Sequence, residues 1–402
     1  MRLGLLVPRF GEEVLGGTEH WLRTLCEHLV ERRGWEVEVF TTCAVSAATW
    51  ADEYLPGRET LHGVEVNRFS SLTGRDVAYL HTYPRVQRDP GSLSADEAEE
   101  YVRLVGPVCP DAVDAAVGSD CDLVAVTPYL YWPTVQAVPR LGRRTLFHGA
   151  AHDEPELYFP CMAEVFGAVG GFAFNSFAER SLVESVYPVA HLPSAVIGNA
   201  VNEGRGDPAV ARRALGLTAD EPFALCIGGV QRSKGTNVLA EMWDRYHRRG
   251  GRGRLVLLGP VHERPVAAEG VVVAGPQPEA VKWGALEACS MLVAPSAQES
   301  FSLVVLEAWL AGRPVLVNGR CQPTVEHCRR SGAGMWFCEY GDFEVAVERL
   351  FSDDGLRECL GGRGGRYARL QFGWDPVLDR YEDLADRVLS RLSGGPGRGE
   401  PV

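Results

Sequence analysis

The chain opens with apolar and polar positions arranged as a strand, a helix and a second strand. Residues 3–7 form a short apolar run, the apolar positions of 22–29 recur at helical spacing, and 36–41 alternate between apolar and polar. Similar units follow at 123–138 and from 171 onward. Apolar runs that alternate with helical patterns predict βα units.

The same alternation restarts in the second half after a composition shift at 203–221, which holds several Gly and Pro residues. Strands are predicted there at 223–227, 254–258, 271–274, 291–294 and 314–317. Strands alternating with helices indicate parallel sheets covered on both faces. The predicted fold class is therefore α/β, with two Rossmann-like doubly wound domains.

The domain boundaries follow from this pattern. We expect an N-terminal domain at 1–205, a C-terminal domain at 206–373, a helix at 374–392 that packs back on the first domain, and a disordered tail at 393–402. Ligands of open α/β sheets bind beyond the carboxyl ends of the strands. We therefore expect a site in a cleft between two facing domains.

Composition narrows the function classes. A formal net charge of −13 argues against nucleic acid as a partner. The eleven cysteines are scattered singly, which favours reduced thiols and a cytoplasmic protein. The best apolar stretch, 123–138, is broken by Pro128 and Pro133, so no membrane span is predicted. A peripheral contact with the inner face of the membrane stays open.

The most informative segment runs from 292 to 314. A strand is predicted to end at Pro295, a polar loop carries Glu299, and the following helix has Glu307 as its one charged residue. A carboxylate on an apolar helix is costly unless something satisfies it. The two glutamates would lie about 12 Å apart or less, which suits two ends of one extended ligand rather than a carboxylate pair of a glycosidase. The alternative is an internal pair of Glu307 with an arginine.

Glu299-x7-Glu307 resembles the E-x7-E signature of the retaining GT-B glycosyltransferases, especially glycosyltransferase family 4. The resemblance implies that Glu299 binds hydroxyl groups of a donor sugar and that Glu307 binds the ribose of the nucleotide. The amides of the intervening residues would lie at a helix N-terminus, where a diphosphate is favoured: Ser300, Phe301, Ser302 and Leu303. Ser302 stands where the family usually has Gly.

The loop after the strand at 223–227 resembles the family's phosphate loop, G-R-L-x3-K-G. Gly228, Lys234 and Gly235 match it, whereas Gly229 replaces the usual Arg, and Arg232 would supply the second positive charge. Only two of the 40 basic residues are lysines, Lys234 and Lys282. A lysine in this loop, in a chain that otherwise uses arginine, indicates that a compact ammonium binds a diphosphate there. The alternative is that Lys234 is a lysine retained by chance.

The first half supplies further candidates. Gly16 and Gly17 in the first βα loop would let backbone amides approach a phosphate, or form a plain tight turn. They do not make the G-x-G-x-x-G of a nicotinamide-binding unit.

A second candidate segment of the first half follows the strand at 145–147. The His152-Asp153-Glu-Pro run resembles a motif of a bacterial branch of the family, which implies that His152 contacts the donor sugar. His148 is the second choice, and either histidine is alternatively structural. Asp153, Arg180 and Asn199 rank as secondary candidates.

The function implied by the resemblance is retaining transfer of a hexose or related sugar from a nucleoside-diphosphate sugar to an acceptor hydroxyl. We expect Glu299, His152, Lys234 and Arg232 to be the catalytic residues, and no cofactor or essential metal. The sequence does not identify the acceptor, which would be a glycan, a lipid-linked molecule or a small molecule. The resemblance implies a role in cell-surface glycan, glycolipid or secondary-metabolite biosynthesis. The alternative is a non-catalytic sugar-nucleotide-binding or scaffold subunit of a glycan assembly complex.

Overall fold

The computed structural model describes residues 1–393 apart from 15 and 267. The chain divides into two compact units. Unit 1 comprises Met1–Gly198 and the chain from Leu378 onward, and unit 2 comprises Asn199–Val377. The division falls close to the boundaries expected at 205/206 and 373/374. The predicted tail at 393–402 lies, from residue 394, outside the described residues.

Unit 1 is an α/β unit with one sheet. Its strands are β1 Arg2–Leu6, β2 Glu36–Thr42, β3 Gly57–Leu61, β4 Val64–Phe69, β5 Leu123–Val126, β6 Thr145–Phe147, β7 Gly171–Phe174 and β8 Ser194–Val196. Its helices are α1 Gly17–Arg33, α2 Tyr79–Arg88, α3 Ala95–Val105, α4 Pro110–Gly118, α5 Trp132–Leu141, α6 Met162–Ala168 and α7 Phe177–Val186.

The strand order in unit 1 is β3-β4-β2-β1-β5-β6-β7-β8. All described pairings are parallel except that of β3 with β4. Leu3 of β1 lies opposite Val37 of β2 on one side and Leu123 of β5 on the other. The order of the strands therefore reverses between β1 and β5, where α/β sheets bind ligands.

Unit 2 repeats this design with a fully parallel sheet. Its strands are β9 Phe223–Ile227, β10 Arg254–Leu258, β11 Val271–Gly275, β12 Met291–Ala294, β13 Val315–Asn318 and β14 Gly334–Phe337. Its helices are α8 Pro208–Ala214, α9 Thr236–Arg248, α10 Glu279–Ala288, α11 Leu303–Leu310, α12 Gln322–Ser331, α13 Tyr340–Ser352 and α14 Asp354–Phe372, and α15 Trp374–Ser393 leads back into unit 1.

The sheet order in unit 2 is β11-β10-β9-β12-β13-β14. The order reverses between β9 and β12, which pair directly through Leu225 and Leu292. The loops that follow these two strands are the ones that carry Lys234 and Glu299. The topology thus brings the two most informative sequence segments to one switch point.

The continuous apolar runs become strands buried on both faces. All four residues of β5 are buried, and helices pack on both sides of each sheet. In unit 2 one face is covered by a cluster around Trp309 and the other by a cluster around Trp243. Helices on both faces explain why these strands show no alternation in sequence.

Several elements differ from the sequence predictions. Residues 57–69 form the antiparallel β3–β4 hairpin, with Gly63 at φ 83° in its turn. The alternation of strands and helices did not predict this hairpin. Two helices between β4 and β5, α2 and α3, were also not predicted, and Ser94 with Glu97 forms a capping box for α3. The edge strand β14 was also not predicted.

None of the helices among the described residues is both long enough and apolar enough to cross a membrane.

Candidate functional site

Both lysines of the chain pair with the two glutamates of the E-x7-E segment. Lys234 Nζ lies 2.9 Å from Glu299 Oε1, and Lys282 Nζ lies 2.9 Å from Glu307 Oε1. All four residues belong to unit 2. The sequence singled out Lys234, Glu299 and Glu307, and the structure adds Lys282 to the set.

Lys234 lies in a compact turn of the loop after β9. Residues Arg232–Lys234 form a short 3-10 helix, and Gly235 follows in the left-handed conformation with φ 73°. Thr236 Oγ1 closes the loop because it accepts from the Gln231 amide at 2.9 Å and donates to the Gln231 carbonyl at 3.0 Å. The lysine therefore projects from a loop of fixed shape.

The loops after β9 and β12 approach each other closely at Gly235. A Cβ atom on Gly235 would lie 2.7 Å from the carbonyl oxygen of Pro295. The same carbonyl accepts from Asn318 Nδ2 at 2.8 Å, which ties the end of β12 to the end of β13. Only glycine fits this approach and this φ, and the approach sets Lys234 beside Glu299.

The segment between Glu299 and α11 ends in an unusual residue. Ser302 is the N-cap of α11, with φ 74° and ψ 79°, and its side chain caps no helical amide. Phe301 is buried against His327 and Phe372 at ring distances of 4.8 and 5.0 Å. The free amides at the start of α11 are donors for an anion, and Ser302 occupies a conformation that favours the family's usual Gly.

Glu307 and Lys282 form a partly buried ion pair at the other end of the segment 299–307. Their side chains are 16% and 15% exposed, and Lys282 also lies 2.8 Å from the exposed Glu279. Burial lowers the pKa of Lys282, but Glu307 and Glu279 outweigh it and the net shift is upward. The alternative of an internal partner for Glu307 is thus realised with a lysine rather than an arginine.

Lys282 bonds only one carboxylate oxygen of Glu307. Its Oε2 is buried and has no hydrogen-bond partner among the described residues. A buried carboxylate oxygen without a donor is costly. This oxygen is therefore well placed to accept from a hydroxyl group of a ligand.

The remaining candidates of the phosphate loop are more exposed. The Arg232 side chain is 81% exposed, and its Nε lies 3.8 Å from Glu263. Gly229 has ordinary contacts with His262 and Gln231, so a Cβ atom would fit there. Gly229 is therefore not fixed by steric need.

The first glycine loop in unit 1 ends at Gly16 and Gly17, which begin α1. A Cβ atom on Gly16 would meet the Glu19 carboxylate at 2.1 Å, whereas one on Gly17 would meet nothing within 4 Å. Glu19 is ion-paired with Arg9, whose other nitrogen donates to the Val45 carbonyl. The Glu19 carboxylate is the end of a flexible side chain and can move, so glycine is favoured at Gly16 by its φ of 159° rather than by this contact.

The two histidines after β6 have different environments. His148 is buried, with Nε2 3.0 Å from the Tyr381 hydroxyl, and burial lowers its pKa to about 3. The His152 side chain is 28% exposed, and its Nδ1 lies 3.7 Å from Glu154 Oε1. His152 is therefore the histidine that reaches solvent, whereas His148 packs against α15.

The secondary candidates are placed as follows. Asp153 Oδ1 accepts from the Tyr158 hydroxyl at 2.6 Å. Arg180 pairs with Glu184 one turn along α7 at 2.7 Å. Asn199 is buried at the start of unit 2, and its Oδ1 has no hydrogen-bond partner among the described residues. Their roles stay predictions.

No cluster of three or more His, Cys, Asp or Glu side chains within the described part of the chain is arranged to hold a metal ion. The residues that sequence reasoning did not place in a site are Lys282 and Asn318. Lys282 had a signal, since the scarcity of lysine that marked Lys234 applies equally to it. Asn318 had none, because its role depends on the neighbouring strand.

Known proteins resemble this chain in sequence and in fold. Residues 221–353 match the family model described as Glycosyl transferases group 1, a range that includes both lysine–glutamate pairs. The D-inositol 3-phosphate glycosyltransferase of Actinosynnema mirum is 28% identical over 87% of this chain and 87% of its own length.

Two solved structures share the fold. Sucrose-phosphate synthase from Thermosynechococcus elongatus matches with a TM-score of 0.72 and 18% identity, over 97% of this chain and 99% of that one. HepE of Anabaena, in complex with UDP and glucose, matches with a TM-score of 0.65 and 16% identity, over 98% and 100%. The two-sheet α/β architecture is the GT-B fold, and the sequence matches support a glycosyltransferase.

Proposed function

We propose that this chain is a retaining glycosyltransferase of family 4, which moves a sugar from a nucleoside diphosphate to an acceptor hydroxyl. The observation that carries the proposal is the pairing of Lys234 with Glu299 beside the start of α11. The ammonium of Lys234 can bind a phosphate, and the adjacent carboxylate of Glu299 can accept from sugar hydroxyl groups. The pair therefore suits the junction between the diphosphate and the sugar of a donor. The match of 221–353 to a glycosyltransferase family supports it.

The chemistry follows from the groups at this junction. The bond between the anomeric carbon and the diphosphate oxygen breaks, and charge develops on the leaving phosphate. Lys234 and the free amides at Phe301 to Leu303 would stabilise that charge. Glu299 would orient the sugar by accepting from its hydroxyl groups.

Retention fits a site in which the leaving phosphate takes the proton of the acceptor hydroxyl on the same face of the sugar. The new bond then forms on the face from which the phosphate departs. His152, which reaches solvent beside Glu154, would contact the donor sugar. Arg232 would add a second cation near the phosphates once its exposed side chain turns from Glu263.

The nucleoside end would be held by Glu307. Its unpaired Oε2 accepts from a ribose hydroxyl, while Lys282 fixes Oε1. The donor is a nucleoside-diphosphate hexose, and UDP-glucose is the first to test because HepE was solved with UDP and glucose. Inositol phosphates belong among the first acceptors, given the named activity of the Actinosynnema relative.

The test is binding and slow hydrolysis across a panel of nucleoside-diphosphate sugars. We expect one donor to bind, and Glu299→Gln, Glu307→Gln and Lys234→Met each to weaken binding or hydrolysis at least about tenfold. Glu279→Gln is the matched control, because Glu279 pairs with Lys282 yet is 70% exposed. It should bind the donor as the wild type does.

The competing function is a non-catalytic scaffold subunit, which the departures at Gly229 and Ser302 favour. It predicts that no donor of the panel is hydrolysed or transferred. Donor binding that survives all three substitutions would show that the proposed donor site is wrong. Activity that persists in a metal chelator would support the expectation that no metal is essential.

A further inference from the structure

Glu179 is a fully buried carboxylate that no proposed step uses. It lies in the first turn of α7, is 2% exposed, and its amide donates to the N-cap side chain of Ser176 at 3.1 Å. A buried carboxylate is costly unless its oxygens are satisfied. The hydrogen-bond partners of its two carboxylate oxygens therefore indicate its role.

The two oxygens of Glu179 join two chain segments. Oε1 accepts from the amide of Ala151 at 2.8 Å, and Oε2 accepts from the amide of Asn175 at 2.6 Å. Ala151 belongs to the loop after β6, and Asn175 follows β7. One side chain thus fastens the loop that carries His148 and His152 to the neighbouring strand end.

The fastened loop has a strained backbone. Ala150 adopts φ 54°, which is unfavourable for a residue with a Cβ atom. A Cβ atom on the preceding Gly149 would lie 3.5 Å from Glu179 Oε1, so the loop lies directly on the carboxylate. Strain of this kind persists where the surroundings impose it, and the bond from the Ala151 amide to Glu179 is one of the contacts that hold the loop here.

We propose that Glu179 is a positioning residue that holds the His152 loop in its working shape, and that it does so only in its ionised form. Two amide donors need two acceptor oxygens. Protonation makes one of these oxygens a donor and leaves it a weaker acceptor, and a glutamine turns an NH2 group, which accepts nothing, towards one of the two amides. This inference rests on the proposed function only for its effect on activity.

The ionisation of Glu179 falls in an accessible pH range. Burial raises its pKa to about 7, and the backbone amides of Asn175, Ala151 and Ala150 together with His152 oppose that shift. Other ionisable groups around the loop include Asp153, which accepts from the Tyr158 hydroxyl, Glu154, which pairs with His152, and Arg180, which pairs with Glu184. His148 is kept neutral because burial lowers its pKa to about 3.

The decisive measurement is amide hydrogen exchange of the full chain, corrected for the intrinsic rate at each pH. The ionised fraction of a group with a pKa of 7 falls from about nine tenths at pH 8 to about one tenth at pH 6. We expect protection of peptides containing Ala151 and Asn175 to fall with it. Glu179→Gln should show the low protection at every pH.

The matched control is Glu156→Gln. Burial also raises the pKa of Glu156, but this residue accepts from the Tyr101 hydroxyl at 3.3 Å instead of fastening the loop amides. It should leave the pH dependence at Ala151 intact. Protection at Ala151 that does not change between pH 6 and 8 in the wild type would overturn the proposal, and this outcome needs no variant to fold.

Activity provides the second measurement. Glu179→Gln should lower kcat for donor hydrolysis about 10- to 100-fold, because small misplacements of catalytic groups cost that much, with KM little changed. It should also remove the rise of kcat through pH 7. Normal kcat in Glu179→Gln would overturn the positioning role, whereas absence of hydrolysis in the wild type with pH-dependent protection would refute only the proposed enzyme activity.

Discussion

The chemistry of a lysine differs from that of an arginine at Glu307. A guanidinium binds a carboxylate through two parallel hydrogen bonds and so takes both oxygens, whereas an ammonium can take one. Lys282 bonds Oε1 of Glu307, and Oε2 keeps its acceptor capacity. In a chain with 40 basic residues and two lysines, this gives a physical reason for the second lysine.

The first prediction is that Lys282 stabilises the fold by pairing with Glu307. Lys282→Met leaves a largely buried carboxylate without its cation, and we expect it to lower the free energy of unfolding by about 2 kcal/mol or more. The double variant Lys282→Met/Glu307→Gln should recover most of this loss. Urea unfolding measures both, and Glu279→Gln should cost less than about 1 kcal/mol because its pair is exposed.

Lys282→Arg separates stability from ligand binding. This variant keeps the positive charge and should be as stable as the wild type. It should bind the nucleoside diphosphate about tenfold more weakly, because the guanidinium of the arginine bonds both carboxylate oxygens of Glu307. Calorimetric titration measures this. Unchanged affinity in Lys282→Arg would show that Oε2 of Glu307 does not bind the ligand.

The second prediction concerns Gly229, where the family usually has Arg. Gly229 is not among the glycines with positive φ, and a Cβ atom there would make only ordinary contacts. Gly229→Arg should therefore fold normally and bind the donor about tenfold more tightly through an added charge-assisted hydrogen bond. Gly229→Gln, of similar length and without the charge, is the control. Equal affinity in both variants would show that position 229 does not face the phosphates.

At the scale of elements, the close approach of two loops creates the site. Gly235 of the loop after β9 lies against the Pro295 carbonyl at the end of β12, and Asn318 at the end of β13 donates to that same carbonyl. Three neighbouring strand ends are thereby locked together. Lys234 and Glu299 meet as a result of this packing, although 65 residues separate them.

The third prediction tests that approach. Gly235→Ala adds a Cβ atom 2.7 Å from a backbone oxygen at φ 73°, so the loops must separate. We expect a lower Tm and loss of donor binding. Gly250→Ala is the matched control, since Gly250 has φ 90° but nothing within 4 Å of an added Cβ atom. It should cost only the backbone strain, about 1–2 kcal/mol, and leave donor binding unchanged.

Elements with a strong local signal could be predicted from the sequence. The strands at 145–147, 223–227, 254–258 and 291–294 have the predicted bounds, because continuous apolar runs between turn residues leave little choice. The hairpin of β3 and β4 was missed because its exposed edge strand carries polar residues. β14 was missed because its four residues, Gly334–Phe337, are too few to show a period.

At the scale of the whole molecule, the sequence predicted the two-sheet architecture, and it named Lys234, Glu299 and Glu307, which lie together with Lys282 in unit 2 as two ion pairs. The pairing of lysines with glutamates could not be predicted, because it depends on which strand ends lie side by side. The environments of His148 and His152 could not be predicted either. They differ by four positions in sequence, yet one packs against Tyr381 from the far end of the chain.

Each unit buries one histidine that folding keeps neutral. Burial lowers the pKa of His148 in unit 1 to about 3 and that of His327 in unit 2 to about 4. The unfolded chain binds a proton at these sites below about pH 6.5. Each histidine therefore contributes stability above that pH and loses it as the pH falls, by about 2 kcal/mol at pH 5.

The fourth prediction is that the two units respond differently to acid. In unit 1, Glu179 acts in the opposite direction, because a carboxyl group with a pKa of about 7 binds its proton more readily when folded. Its contribution grows as the pH falls from 7 to about 4.5 and offsets that of His148. In unit 2, the most deeply buried polar residues besides His327 are, among those described, Asn199, Thr236, Ser296 and Thr324, which do not titrate.

Unit 2 should therefore lose about 2 kcal/mol between pH 7 and pH 5, while unit 1 changes less. Urea unfolding read by hydrogen exchange of peptides from each unit measures the two separately, with the unit 1 peptides chosen away from Ala151 and Asn175, whose local protection depends on Glu179 itself. His327→Phe keeps a ring among Phe301, Tyr367 and Phe372 and removes the titrating group, so unit 2 of this variant should become insensitive to pH over this range. The exposed His81, changed to Gln, should leave both units as they are. Equal acid sensitivity of unit 2 in His327→Phe and the wild type would mean that burial of His327 does not govern it.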